Sequence, residues 1–407
     1  MYKIRRTILS VFAIMIISFP GSKGLQARET NDSTESFHTI RSGLRNCQIR
    51  FEKEKFGRVA FLGGSITYNS GWRDSICTYL NKRFPETKFE FINAGIPSMG
   101  STPAAFRLGR DVLSKGRIDL LFEEAAVNDA SNGRTSAEQI RAMEGIIRHL
   151  RYTNPSINIV MMHFVDPDKM KDYRNGVTPH VIQNHNKVAR HYNIPTINLA
   201  LEVSVRISNN EFNWEDDFKD LHPSPFGQGV YARSMITFLE HAFSDYINDD
   251  ALITNFKMPE KLDDYCYDKG RLIDITESEN LNGWHLDPSW TPDDNAGVRS
   301  NYHHTPMLVS NKSGSLLNLR FTGKAIGIAV AAGPDAGSIE YRIDEGDWHY
   351  LNLFTPWSMH LHLPWYYTLS AELQAEEHLL ELRNSQMKDE RSEGYFCRIR
   401  YFFVNEN

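Results

Sequence analysis

The chain has 407 residues, room for two domains of ordinary size, and its 41% hydrophobic and 24% charged residues are those of a globular protein. A formal net charge of −6, with no basic stripe or polybasic tail, argues against a nucleic-acid binder. No internal repeat, heptad run or low-complexity tract interrupts it.

The N-terminus reads as an address. Lys3, Arg5 and Arg6 precede an almost wholly apolar run over 8–19, which Pro20 and Gly21 close, with small residues for cleavage after Gly24. Residues 1–24 are therefore expected to be a signal peptide, with an uncleaved anchor as the alternative. The run is too short for a comfortable membrane span. The expectation is an exported protein, periplasmic or extracellular, whose mature chain has no integral membrane span. No cysteine stands near the cleavage point to carry a lipid. Residues 25–45 are polar and read as a flexible lead.

From 46 to 248 strand-like and helix-like runs alternate. Strands are expected at 59–62, 89–93, 118–127, 157–164 and 196–199, and helices at 72–84, 103–114, 136–152 and 179–192. Thr135 and Glu138 form a capping box before the third helix, and Ser224-Pro225 starts a last one. This alternation implies an α/β domain with a parallel sheet covered on both faces, whose sites lie at the carboxyl ends of its strands.

Residues 249–268 read as a linker. Beyond it, over 269–407, short runs recur at 316–321, 325–330, 339–343, 360–363, 378–382 and 395–404, separated by turn signals such as Gly333-Pro334-Asp335. This is the pattern of a β-sandwich, jelly-roll-like. Trp348, Trp357, Trp365, Tyr366 and Tyr367 serve either its core or a sugar-stacking face. The four cysteines, Cys47, Cys77, Cys266 and Cys397, have no zinc-site spacing; a Cys266–Cys397 bridge and isolated buried thiols both remain open.

The chemistry gathers at strand ends. Gly63-Gly64-Ser65 closes the first strand, where two glycines free the backbone to present the serine. The stretch lacks the lysine of a phosphate loop and is not a G-x-S-x-G elbow. A serine nucleophile needs a base, an orienting acid and an oxyanion hole. Asn93-Ala94-Gly95 follows the second strand, Val127-Asn128-Asp129 the third, and Asp220-Leu221-His222-Pro223 comes near the domain's end. Singly, each is an ordinary turn or a solvated loop; four in order, each at a strand's end, form a constellation.

That constellation resembles the SGNH hydrolases, the GDSL esterase family, over roughly residues 57–243. The resemblance implies a flavodoxin-like three-layer αβα fold, no metal or other cofactor, and acyl-ester hydrolysis. It implies Ser65 as nucleophile and His222 as base, with an oxyanion hole of the Ser65 and Gly95 N–H groups and the Asn128 amide. Gly64 stands where many members have aspartate, and Ala126 where glycine is usual. The aspartate usually lies three residues before the histidine, where this chain has Lys219. Asp220 is the preferred acid, with Asp217 and Asp216 as alternatives and a backbone carbonyl also open. Trp72 and Arg73 offer a substrate-facing pair, or else helix packing and a surface ion pair. The expected substrate is an O-acylated, chiefly O-acetylated, polysaccharide or oligosaccharide. A lipase or thioesterase on the same triad, and a non-catalytic glycan-binding protein, are the rivals.

Overall fold

The computed structural model describes residues 37–406. The expected signal peptide, and the expected lead up to residue 36, lie outside them. In the α/β half the strands are β1 (His38–Thr39), β2 (Phe56–Gly63), β3 (Lys88–Gly95), β4 (Leu120–Glu123), β5 (Asn158–Met162) and β6 (Thr196–Ile197), in sheet order β1-β6-β5-β4-β2-β3. Strands β2 to β6 run parallel, and β1 joins β6 antiparallel. Without β1 the order is the flavodoxin-like one, whose crevice opens where β2 separates β3 from β4.

The apolar run in β2 explains the layers. Val59, Ala60, Phe61 and Leu62 are all fully buried, as strands covered on both faces must be. Val59 and Phe61 pack with Trp72, Ile76 and Phe238 on one face. Ala60 and Leu62 pack with Leu108, Ile146 and Val188 on the other. The expected helices are present as Trp72–Arg83, Ser101–Asp111, Ser136–Thr153 and His180–His191, and the last as Pro225–Ala242. The capping box forms as read: Glu138 N–H donates to Thr135 Oγ1 at 3.2 Å, and Thr135 N–H to Glu138 Oε2 at 2.9 Å.

Three expectations change. The lead gains structure at its end, because His38 and Thr39 pair with Ile197 and Thr196 and fill the sheet's open edge. The long apolar run over 118–127 divides into β4 and the helix Ala126–Ser131, since the chain must turn once it leaves the sheet. Residues 249–268 hold no helix or strand, yet they are packed rather than free: Cys266 and Tyr267 are fully buried, and Thr254 exchanges hydrogen bonds with Asn46.

The C-terminal half contains β7 (Gly270–Ile273), β8 (Glu279–Asn282), β9 (His285–Trp290), β10 (Gly297–Val298), β11 (Thr305–Ser310) and β12 (Leu316–Thr322). It continues with β13 (Ala325–Ala332), β14 (Ser338–Ile343), β15 (His349–Asn352), β16 (Leu361–Ser370), β17 (Glu377–Asn384) and β18 (Cys397–Asn405). One sheet runs β10-β16-β13-β18-β11-β9, with β7 also on β18; the other runs β15-β14-β17-β12-β8. Leu317, Leu319, Ile328, Leu380, Leu382 and Phe402 fill the space between them as a β-sandwich core. All four cysteines are free thiols, so no Cys266–Cys397 bridge is present.

The two halves share a core. Phe106, from the helix Ser101–Asp111, lies 4.4 Å from Phe403 and 4.8 Å from Tyr267, ring centre to ring centre. Trp290, Tyr302, Met307 and Phe403 of the sandwich belong to the same buried cluster as Leu62 and Leu121 of the parallel sheet.

Candidate active site

Strand β2 ends at Gly63, and Ser65–Tyr68 forms one helical turn directly after it, closed by Tyr68 N–H to Gly64 O at 2.9 Å. Gly64 packs closely on the Asn128 side chain: an added Cβ would lie 2.0 Å from Asn128 Oδ1, which would have to shift. Trp72 and Arg73 brace the turn from behind. Trp72 is fully buried and its Nε1–H donates to Ile66 O at 3.2 Å, while Arg73 Nε–H donates to Thr67 O at 3.2 Å. The burial of Trp72 fits the helix-packing alternative for that residue. The start of helix Trp72–Arg83 points its indole into the sheet's core, against Phe61 at 5.6 Å.

His222 approaches from the loop between the turn at Trp214–Phe218 and the helix Pro225–Ala242. Ser224 anchors that loop through its N–H to Phe218 O at 2.9 Å and its hydroxyl to Asp217 O. The result is a contact of 2.7 Å between Ser65 Oγ and His222 Nε2 across 157 residues of sequence. Asp220 Oδ1 accepts the His222 N–H and lies 3.7 Å from Nδ1. Asp217 Oδ2 instead accepts the Asn213 N–H at 2.8 Å, and the Asp216 N–H donates to Asn213 Oδ1. These two acids close their own turn rather than face the imidazole.

Burial lowers the His222 pKa from its ordinary value; Asp220 pulls it up and Arg299 pushes it further down. Burial prevails over Asp220, because the Asp220 side chain is 67% exposed and water screens its charge. A lowered pKa keeps the imidazole neutral near pH 7, the form that can accept a proton.

Asn128 sits in the first turn of helix Ala126–Ser131, beside the cleft that contains Ser65 and His222. Its neighbour Asp129 pins that helix. The fully buried Asp129 accepts the Ser101 N–H at 2.8 Å, the Ser101 hydroxyl at 2.6 Å and His185 Nε2 at 3.0 Å. Glu124, whose burial pushes its carboxyl up to about 7, accepts the Val127 N–H at 3.1 Å. Gly95 comes close enough to the turn that a Cβ would lie 2.4 Å from Tyr68 N. Its N–H, an expected oxyanion donor, is directed to Asn93 Oδ1 at 3.0 Å, and Asn93 Nδ2 in turn donates to Tyr68 O at 3.0 Å.

The cleft measures about 620 Å³, and Arg299 and Trp357 of the sandwich form part of its wall. Sequence reasoning named Trp357 without placing it, named Asp129 without a role, and passed over Arg299 and His185. The pairing of β10 with β16 sets Arg299, whose N–H donates to His362 O at 2.9 Å. Trp357 is 53% exposed. The other aromatics do not line the cleft: Tyr366 stacks on Phe403 inside, Tyr367 OH donates to Leu353 O, and Trp348 carries Arg383 on its ring. Away from the cleft, Asp294, Asp335 and His362 bring ligand-type atoms within 4.8 Å of one another. Arg398 already holds both Asp335 oxygens, and Asp294 bonds His362 at 2.9 Å. Among the described residues no helix is long and apolar enough to cross a membrane.

Residues 61–230 match the family model described as GDSL-like Lipase/Acylhydrolase family. No curated protein matches the chain. A two-domain esterase (CEX) active on acetylated mannans, co-crystallised with mannopentaose, is 21% identical with a TM-score of 0.71, covering 91% of this chain and 99% of its own. A second structure of a two-domain esterase (CEX) active on acetylated mannans is 20% identical, again with a TM-score of 0.71, covering 91% of this chain and 99% of its own. A variant of an acetyl xylan esterase from Geobacillus stearothermophilus is 17% identical, with a TM-score of 0.37 over 46% of this chain and 96% of its own. At such identities the likeness to the two-domain esterase speaks of fold: an α/β domain and a sandwich in one chain.

Proposed function

We propose, from the match of residues 61–230 to the GDSL-like Lipase/Acylhydrolase family model, that the protein is an exported serine esterase removing acyl groups, foremost acetyl, from a carbohydrate. The observation that carries this is the 2.7 Å contact between Ser65 Oγ and His222 Nε2 at the carboxyl end of β2. Ser65 attacks the ester carbonyl while His222 takes its proton. The Asn128 amide and the Ser65 N–H receive the oxyanion. Gly95 adds a third donor only as far as its N–H turns from Asn93 Oδ1. His222 then gives its proton to the departing sugar hydroxyl, leaving an acyl ester on Ser65. In the second half His222 draws a proton from water, which releases the carboxylic acid and restores the serine. Asp220 orients the imidazole through a water-screened contact.

A carbohydrate substrate is supported by the two-domain architecture, which is shared with an esterase active on acetylated mannans, and by the sandwich's Trp357 in the cleft wall. Export rests on the apolar run over 8–19. The test is acetate release from a panel of acetylated polysaccharides, run beside p-nitrophenyl acetate and a long-chain ester. Acetyl preference with release from at least one glycan supports the reading. Preference for the long chain would make the protein a lipase, and glycan binding without hydrolysis would make it a binding protein.

A further inference from the structure

A second cavity, of about 440 Å³, opens on the Tyr68 side of the serine turn. Tyr68, Asn93 and Gly95 line it from the α/β half, and Arg400 on β18 from the sandwich. Ser65 and Tyr68 belong to the same helical turn, with a pitch of about 5.4 Å. A ligand here would therefore lie beside the ester under attack.

The cavity's charge is lopsided. Arg107, Arg110, Lys115 and Arg400 line it, against the carboxylate of Asp111. That carboxylate already serves two guanidiniums. Arg107 reaches it at 2.9 Å, and Arg110 at 2.5 and 3.0 Å. Arg107 is fully buried and leaves its Nε without a hydrogen-bond partner. Among the described residues no acid forms a close ion pair with Arg400 or Lys115, although the charge of Asp274 acts on Arg400 from a distance. The Arg400 guanidinium lies 3.8 Å from the Tyr401 ring centre and that of Arg110 4.8 Å from the same ring. Each contact with the ring is itself attractive, and an anion between the two guanidiniums would offset their mutual repulsion. In a chain of net charge −6 this concentration of cations is local, and a cavity with low-dielectric walls focuses its field.

We propose that this cavity is a subsite for an anionic group on the substrate glycan, a carboxylate or a sulfate ester carried on the acylated sugar or its neighbour. Both groups present paired oxygens that a guanidinium fork meets with two hydrogen bonds. The link to turnover rests on the esterase reading of Ser65; the binding itself does not.

The test is calorimetric titration of the full chain with an oligogalacturonate, a sulfated oligosaccharide, a neutral oligosaccharide of equal length, and inorganic sulfate. At least one acidic sugar is expected to bind about tenfold or more tighter than the neutral one, and added salt is expected to weaken that binding. Arg400→Gln should lose that advantage, Arg400→Lys should keep part of it, and melts should show both variants folded. Turnover of p-nitrophenyl acetate should stay within about twofold of wild type, because a small neutral ester does not fill the cavity. The uronate and sulfate arms identify which acid the site takes. Equal affinity for acidic and neutral sugars, or an acidic preference untouched by Arg400→Gln, would overturn the proposal. Inorganic sulfate binding as tightly as any acidic sugar would overturn the assignment to a glycan. Absence of p-nitrophenyl acetate hydrolysis by the wild type would instead count against the esterase reading and leave the titration to be judged separately.

Discussion

The parallel sheet and the sandwich bury their strands differently, and the candidate chemistry follows from that difference. In the α/β half helices cover both faces, so β4 and β5 are buried at every residue. The candidate site groups stand where the strands give out, Ser65 after β2, Gly95 at the end of β3 and Asn128 in the helix that follows β4. In the sandwich, β17 alternates buried and accessible residues and keeps one face in water. Its contribution to the cleft comes from loops at one edge, through Arg299 and Trp357. Reactive groups from one half and walls from the other are thus two consequences of how each sheet is covered.

The largest break in that comparison would come at Ser65. Ser65→Ala is expected to cost about a millionfold in turnover with an unchanged melting curve. A folded variant retaining about a tenth of wild-type turnover would remove Ser65 from the nucleophile's place.

Asn128→Ala should lower kcat by about a hundredfold to a thousandfold and leave KM nearly unchanged, because its amide meets the oxyanion in the transition state. Steady-state kinetics on a small ester decide it. A loss confined to KM would move Asn128 to ground-state binding.

The shared core bears on whether the halves are separable at all. Phe106→Ala should cost about 3–5 kcal/mol and lower the unfolding midpoint of both halves together. Denaturant titration followed by separate probes of helix and aromatic packing reads this out. Two transitions, with only one displaced, would make the sandwich an independent passenger.

The smallest effect concerns pH. His222 acts as a base only when neutral, so activity should rise with pH through a limb lying below the ordinary histidine value of about 6.5. Arg299 holds that pKa down, so Arg299→Ala should move the limb to higher pH. Asp220 holds it up, so Asp220→Asn should move the limb lower. Profiles of kcat/KM against pH that coincide for all three proteins would show that burial alone sets the limb.

His222 lies on a loop between helical segments and Asn128 within the helix Ala126–Ser131, not at strand ends as expected. Local patterns were nonetheless enough to read β2, the capped helix at Ser136–Thr153, the Ser224-Pro225 helix start and the strand-end positions of Ser65 and Gly95. Each of these is written in residues adjacent in sequence: an apolar run, a cap, a glycine pair. What tertiary structure alone decided depends on partners far along the chain. Trp72 has the composition of a platform and the burial of a brace, because Phe61 and Phe164 lie against it. Asp220 rather than Asp217 lies within 4 Å of the imidazole, because Asn213 engages Asp217. His38 and Thr39 become a strand only where β6 offers them an edge. Arg299 and Arg400 carry no signal in sequence, since a charged side chain acquires meaning from the cavity it lines. Local sequence sets backbone preference within a few residues, whereas burial, charge balance and access to a cleft are set by contacts that only the folded chain brings together.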